Sequence, residues 1–370
     1  MNNWSACKHI LCIRADNMGD IIMSAPAIRA LKETFNCRIT LLTSGMGKPI
    51  VASLREIDEV LVYNVPWVKA GETLSPEACL QLINEIRQRN FDAAVILTAY
   101  SQSALPAAML AYMAGIPLRL AYCRENPYEL LTDWVPDKEP YSVIRHQVQR
   151  DLQLVEAVGA YTHNDSLQLR LNEAALQTAM EKLRKQEIDV QQSWIVVHTG
   201  VSEKKREYPV DRWIETVKLL QQHFDLPILL TGAGSEKIQA QQIQQATGKN
   251  VHVAAGLFTM EEFIAVVHEA QLVISVNTAT IHIAAATGTP LIVLYALTNP
   301  QHTPWKTRSK VLPFPVPEQL KSKNEVVSYV SSKLFAQPVS IPEPSEILQA
   351  ALEMLGEIKN EKLKSKKLKY

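Results

Sequence analysis

The sequence predicts two doubly wound α/β halves, each a parallel sheet layered with helices. Short β-rich runs alternate with amphipathic stretches along most of the chain, the same alternation restarts in the second half, and 370 residues are too many for one ordinary core. Hydrophobic residues make up 47% and charged residues 21%, the balance of an ordinary globular protein.

In the first half, strands are expected at 9–14, 38–43, 59–63, 93–97 and 119–122. Helical patterns lie at 21–35 and 76–89, and an amphipathic helix at 144–158 is closed by Gly159. The uncharged stretch 93–118 has the length of a membrane span, but Tyr100, Ser101, Gln102 and Ser103, with Pro106 and Pro117, interrupt it. It reads as a buried strand, a turn and a core helix. Residues 161–192 form the transition, with a charged helix at 173–186. The second half repeats the scheme, with strands at 194–198, 227–230, 251–254, 272–276 and 291–295 and helices opening near Asp211, Ser235, Thr259 and Thr278. A Pro-rich region follows, then a last helix at 344–355 and the lysine-rich end KNEKLKSKKLKY. That end reads as a solvated tail, with a weak contact to anionic lipid as the alternative. The expected division is 1–165, 166–340, and 341–370 for the helix and basic tail.

Composition also excludes several function classes. The formal net charge is zero, so no bulk field draws the chain to nucleic acid, and no nucleic-acid partner is expected. Cys7, Cys12, Cys37, Cys79 and Cys123 form no CxxC pair and have no histidine at zinc spacing. They read as reduced cytosolic thiols, and the opening MNNWSACKHI lacks a signal-peptide pattern, so a cytoplasmic location is expected. The turn Gly232-Ala233-Gly234 is followed by Lys237 at the third glycine position, which disfavours a nicotinamide dehydrogenase. There is no GxxxxGK[ST], no HExxH and no DxD cluster, so neither a cofactor nor a metal is expected.

Doubly wound sheets hold ligands at the carboxyl ends of their strands, and two of them imply a cleft between domains. Three post-strand segments stand out. After the first strand come Arg14-Ala15-Asp16-Asn17-Met18-Gly19-Asp20, where Gly19 permits a tight turn and Asp20 opens the helix. Asp20 suits a general base for an incoming hydroxyl, or else it caps the helix and complements its dipole. Asp16 is the spare carboxylate, suited to capping or turn-making. After the strand at 194–198 come Thr199 and the cations Lys204, Lys205 and Arg206, before the helix that Asp211 is expected to cap. Arg206 can grip a pyrophosphate in bidentate fashion, against the bland alternative of a solvated basic loop. After the strand at 272–276 come Asn277-Thr278-Ala279-Thr280-Ile281-His282. A helix capped there offers free amides to an anion, the small residues allow close approach, and His282 follows Thr278 by one turn. Its alternative role is a packed core histidine.

These segments, in this order, resemble glycosyltransferase family 9, the ADP-heptose:lipopolysaccharide heptosyltransferase-like proteins. The resemblance runs from Asn17-Met18-Gly19-Asp20 with Pro26 and Leu31, through Arg206-Glu207-Tyr208-Pro209 with Trp213, to Asn277-Thr278-Ala279, His282 and Gly288-Thr289-Pro290. Lesser matches are Gly115-Ile116-Pro117 with Arg119, and His146. It implies a GT-B fold, two Rossmann-like domains facing across a cleft, and a metal-independent inverting transfer from a nucleotide-diphosphate sugar to a glycan or glycolipid acceptor. It further implies Asp20 as base and Arg206 as the residue neutralising the leaving diphosphate. Thr199, Arg206, Glu236, Asn277, Thr278, Ala279 and His282 become the donor-binding set, with Glu236 near the nucleotide ribose. Arg119 and Arg124 are the acceptor candidates, as contacts to a phosphorylated glycan, or else form ion pairs at the surface or between domains. A lipopolysaccharide-type acceptor adds an expected peripheral contact with the inner face of the cytoplasmic membrane. Family members generally carry aspartate and glycine where this chain has Asn277 and Ala279, a departure that bears on which sugar is carried. A nucleotide-sugar epimerase and a noncatalytic nucleotide-sugar-binding protein are the alternative classes for this architecture.

Overall fold

A computed structural model describes residues 2–69 and 75–367, with side chains described through 356. The chain divides into two compact units, Met1–Arg170 with Pro300–His302, and Leu171–Asn299 with Thr303–Tyr370. Among the described residues, no helix is long and apolar enough to cross a membrane.

The first unit runs β1 (His9–Ile13), α1 (Met18–Phe35), β2 (Arg38–Thr43), α2 (Lys48–Val51), β3 (Glu59–Val62), α3 (Pro76–Gln88), β4 (Ala93–Ile96), α4 (Leu105–Met113), β5 (Leu118–Cys123), β6 (Asp133–Pro136) and α5 (Gln147–Glu156). Its sheet has the order β3-β2-β1-β4-β5-β6, and every pairing is parallel. The central strands are short apolar runs, HILCI and AAVI, because helices cover both faces and leave no polar side. α1 begins at Met18, so Gly19 lies inside its first turn and not in a turn before it. Asn36 ends that helix in the left-handed conformation, which asparagine tolerates better than most residues.

The second unit runs α6 (Glu173–Arg184), β7 (Ile195–His198), α7 (Val210–His223), β8 (Ile228–Thr231), α8 (Lys237–Thr247), β9 (Val251–Val253), α9 (Met260–His268), β10 (Leu272–Val276), α10 (Ala279–Thr287), β11 (Leu291–Ala296), β12 (Ser309–Phe314), α11 (Glu325–Leu334) and α12 (Pro344–Lys367). Its sheet, β12-β11-β10-β7-β8-β9, is again wholly parallel. α7 is capped by Pro209, with Asp211 inside its first turn and not at the cap. α12 lays Ile347, Ala351, Met354 and Leu355 into the same core as Trp213 and Val217, and Tyr208 Oη donates to the Pro342 carbonyl at 2.8 Å. The last helix is thus part of the second unit. The lysine side chains expected to form the basic tail lie outside the described residues.

Two strands were not expected, β6 and β12. Each contains a proline, which removes a ladder donor and weakens a strand pattern. Both lie at sheet edges, where proline is tolerated.

Candidate active site

In each sheet the strand order reverses once: between β1 and β4 in the first unit, and between β7 and β10 in the second. Side chains at such a switch point are not roofed by a direct crossover, which leaves room for a ligand beyond the strand ends.

In the first unit, the loop after β1 carries Arg14 and Asp16, and the first turn of α1 carries Asp20. Arg14 is fully buried, with Nε 3.1 Å from Asp16 Oδ2 and Nη2 3.0 Å from Asp20 Oδ1. Asp20 Oδ2 accepts from the Asn17 amide at 3.3 Å, and His302 Nε2 lies 3.6 Å from Oδ1. Asp20 therefore complements the helix start and is also held by a buried guanidinium. Asp16 makes no cap. Its carboxylate accepts from Gln102 Nε2 at 2.5 Å and its carbonyl from Ser44 Oγ at 2.7 Å. Burial pushes Asp16 up to about 6, against the pull of Arg14. Asp151 on α5 is also buried and raised, and accepts from Ser24 Oγ at 2.6 Å and Gln147 Nε2 at 2.8 Å. Burial alone would lower the Arg14 guanidinium, but Asp16, Asp20 and Asp151 together raise it.

In the second unit, the loops after β7, β8 and β10 converge. Arg206, on a short 3-10 turn at Lys204–Arg206, donates from Nη1 to the Asn277 carbonyl at 3.1 Å and pairs from Nη2 with Glu203 at 3.0 Å. Thr278 is the N-cap of α10 and makes no side-chain cap bond, so the first amides of that helix are left to other partners. Arg206 Nε and Thr278 Oγ1 are buried without a hydrogen-bond partner among the described residues. His282 is buried one turn into α10. Glu236 Oε2 accepts from the Ala233 amide at 2.7 Å, and its carboxylate lies over Gly200 and Gly232. A Cβ at Gly200 would lie 1.9 Å from Glu236 Oε2, so glycine there is what seats the carboxylate. Thr199 is buried and points Oγ1 to Gln239 Oε1 at 3.4 Å. Before it, His198 meets Thr231 Oγ1 at 3.1 Å, and burial pushes its imidazole down to about 4.

Three residues expected at ligands have partners within their own unit. Arg119 donates from Nε to the Leu130 carbonyl, from Nη1 to the carbonyls of Ile116 and Pro117, and from Nη2 to that of Glu129. All three guanidinium nitrogens thus hold the chain around β5. Arg124 donates to the carbonyls of Tyr100 and Glu139 and pairs with Asp137 at 3.2 Å, so it serves the same unit internally. Asn277 turns its amide toward β11: Nδ2 donates to the Ala296 carbonyl and to Thr298 Oγ1, each at 3.2 Å, while Oδ1 accepts from the Ala296 amide at 3.1 Å. An aspartate could not make the two donations, which accounts for asparagine here. Arg14, Asp151 and His302 were not singled out from sequence. Arg14 is the last apolar-run neighbour of a strand, and its partners come from separated segments.

A family model described as glycosyltransferase family 9 (heptosyltransferase) matches residues 79–327, which include Arg206, Glu236 and Thr278 but not Asp20. Lipooligosaccharide heptosyltransferase 2 of Haemophilus influenzae is 24% identical over 80% of this chain and 85% of its own length. Among solved structures, a family 9 glycosyl transferase from Veillonella parvula superposes with a TM-score of 0.75 at 17% identity, covering 95% of this chain and 97% of that one. The Escherichia coli ADP-heptose lipopolysaccharide heptosyltransferase II gives 0.70 at 19% identity, covering 95% and 99%.

Proposed function

The chain belongs to glycosyltransferase family 9, and from that premise we propose that it transfers a sugar from a nucleoside-diphosphate donor to a lipopolysaccharide-core acceptor. Heptose, the sugar that names the heptosyltransferase relatives, is the donor sugar we assign. The work is divided between the units: the second holds the leaving group and the first supplies the base.

Arg206, Thr278 Oγ1 and the opening amides of α10 would hold the diphosphate, with Glu236 accepting from the ribose hydroxyls and Thr199 and His282 lining the same seat. Negative charge on the diphosphate grows as the anomeric C–O bond breaks. A fixed guanidinium and helix amides stabilise that charge more in the transition state than in the bound donor, which is a metal-independent arrangement. Asp20 takes the acceptor hydroxyl proton while that oxygen bonds to the anomeric carbon from the face opposite the departing diphosphate, inverting the configuration. An acceptor anchored in the inner leaflet would bring the enzyme to the membrane surface, where the lysine-rich end adds contact with anionic headgroups.

One observation carries this reading. Arg206 is hydrogen-bonded beside the start of α10, which has no side-chain cap, and Arg206 Nε and Thr278 Oγ1 are buried donors without partners among the described residues. Unpaired buried donors cost free energy, and a diphosphate bound beside them would supply acceptor oxygens. A thermal-shift screen against adenosine, uridine and guanosine diphosphates and their sugar conjugates tests it. One diphosphate should stabilise the fold by about 2.7 kcal/mol at a hundredfold excess over its Kd, and an acceptor extract should then drive release of the free diphosphate. A flat screen would overturn the reading.

A further inference from the structure

Beyond the strand ends of β1 and β4, at the switch point of the first sheet, lies a cavity of about 210 Å³. Its wall is apolar where Ile13, Trp67, Leu97 and Pro106 contribute. Five polar side chains meet it: Asp16, Thr98, Ser101, Gln102 and Ser103. Among the described residues, no lysine, arginine or histidine lines it. From these features we propose that the cavity is a subsite for one uncharged pyranose ring of the acceptor, stacked on Trp67 and hydrogen-bonded through its hydroxyls to Asp16 and Gln102. The proposal rests on the first unit being the acceptor half, as argued above.

Size comes first. Pockets for drug-sized ligands run to roughly 300–1,000 Å³, so this one suits a single ring and not an oligosaccharide. A pyranose has an apolar face of C–H groups and a polar rim, and this wall has the same division: an indole beside aliphatic carbon, with acceptors and donors at one side. The Thr98 and Ser101 hydroxyls make no hydrogen bond within the described residues. Asp16 already accepts from Gln102 and pairs with Arg14, yet a carboxylate has about four acceptor sites, so two more hydroxyls can be met.

Charge then decides which ring fits. A phosphate or carboxylate on the ring would face Asp16 with no cation on the cavity wall. The neighbouring guanidinium, Arg14, is already shared by Asp16, Asp20 and Asp151. With Arg119 and Arg124 both held by their own chain, the lining favours a neutral ring over a phosphorylated one.

Ligand-observed NMR on the full chain tests this, with methyl glycosides of glucose, galactose and mannose as neutral probes and their 6-phosphates as charged counterparts. At millimolar concentration at least one neutral probe should bind, and its phosphate should bind roughly tenfold less well. Ser101→Trp fills the cavity from a half-buried turn, and Trp67→Ala removes the stacking wall; each should weaken the neutral probe roughly tenfold or more. Both variants should keep the wild-type thermal shift with the nucleoside diphosphate, which reports on the second unit and on folding. Absence of neutral binding, binding that survives Ser101→Trp, or an equal or stronger phosphate signal would overturn the proposal. If wild type transfers sugar and Ser101→Trp does so with an unchanged acceptor KM, the cavity assignment fails while the transferase reading stands. If no acceptor is ever glycosylated yet the glycosides bind and compete, the transferase reading fails and the carbohydrate site stands.

Discussion

Replacing Arg14 by methionine tests whether the carboxylates after β1 are held by charge. Arg14 is fully buried, 3.1 Å from Asp16 and 3.0 Å from Asp20, and it also faces Asp151 across the unit. Methionine approximates the volume of the stem but leaves Asp16 and Asp20 without the guanidinium they pair with, while Asp151 keeps Arg150. Removing one member of a buried pair costs about 3–5 kcal/mol, mostly from the charge left behind. The pH dependence gives the sign. Asp16 is raised by burial to about 6 even with Arg14 present. A raised carboxyl keeps its proton in the native state at pH values where the unfolded chain has lost it, so its contribution to stability declines as pH rises from the unfolded value toward 6. Without Arg14 that carboxyl moves higher still and takes a proton in mild acid, which removes the uncompensated charge. Amide hydrogen exchange in β1 and β4 isolates the first unit from the second. Opening should become easier by about 3–5 kcal/mol at ~pH 8 and by less than about half of that at ~pH 5. Adding Asp16→Asn to Arg14→Met should recover part of the loss at the higher pH. A change under about 1 kcal/mol, or a loss equal at both pH values, would refute the argument.

The other predictions concern the second unit. Gly200→Ala places a methyl 1.9 Å from Glu236 Oε2 and must displace that carboxylate. Nucleoside diphosphate affinity by calorimetry should fall roughly tenfold with the melting temperature little changed, and an unaltered Kd would remove Glu236 from the ribose contact. His198, lowered to about 4 by burial, stays neutral in the native state while the unfolded chain protonates near 6.5. Stability should therefore be lost as pH falls from 6.5 toward 4, by about 1.4 kcal/mol per pH unit at most. His198→Gln should flatten that part of the pH–melting curve relative to wild type, and parallel curves would count against a neutral native imidazole.

Much of the fold was legible because parallel strands buried on both faces read as unbroken apolar runs. HILCI, AAVI, LVISV and LIVLYA all appear where expected, and the helices between them start within a few residues of their caps. Two of the edge strands, β6 and β12, were hidden by Pro136 and Pro313, which only edge positions excuse. Position after a strand was enough to place Asp20, Arg206 and Thr278 next to the points where the strand order reverses, and such strand ends face open space. Side-chain partnerships were not legible. Arg14 meets Asp151 only because α1 and α5 pack together, and Arg119 and Arg124 satisfy carbonyls of turns whose geometry no local pattern encodes. The partners of Asn277 were hidden for a related reason: its carbonyl accepts from Arg206, while its side-chain amide pairs with β11.

The central claim is that one unit binds a nucleotide sugar while Asp20 on the other removes the acceptor proton. Asp20→Asn keeps the shape of the side chain and loses the base. Measured on the same samples, acceptor-dependent diphosphate release should fall by about 10²–10⁴-fold while donor affinity stays within about twofold of wild type. Wild-type turnover in that variant, or a collapse of donor affinity equal to the loss of turnover, would contradict the account.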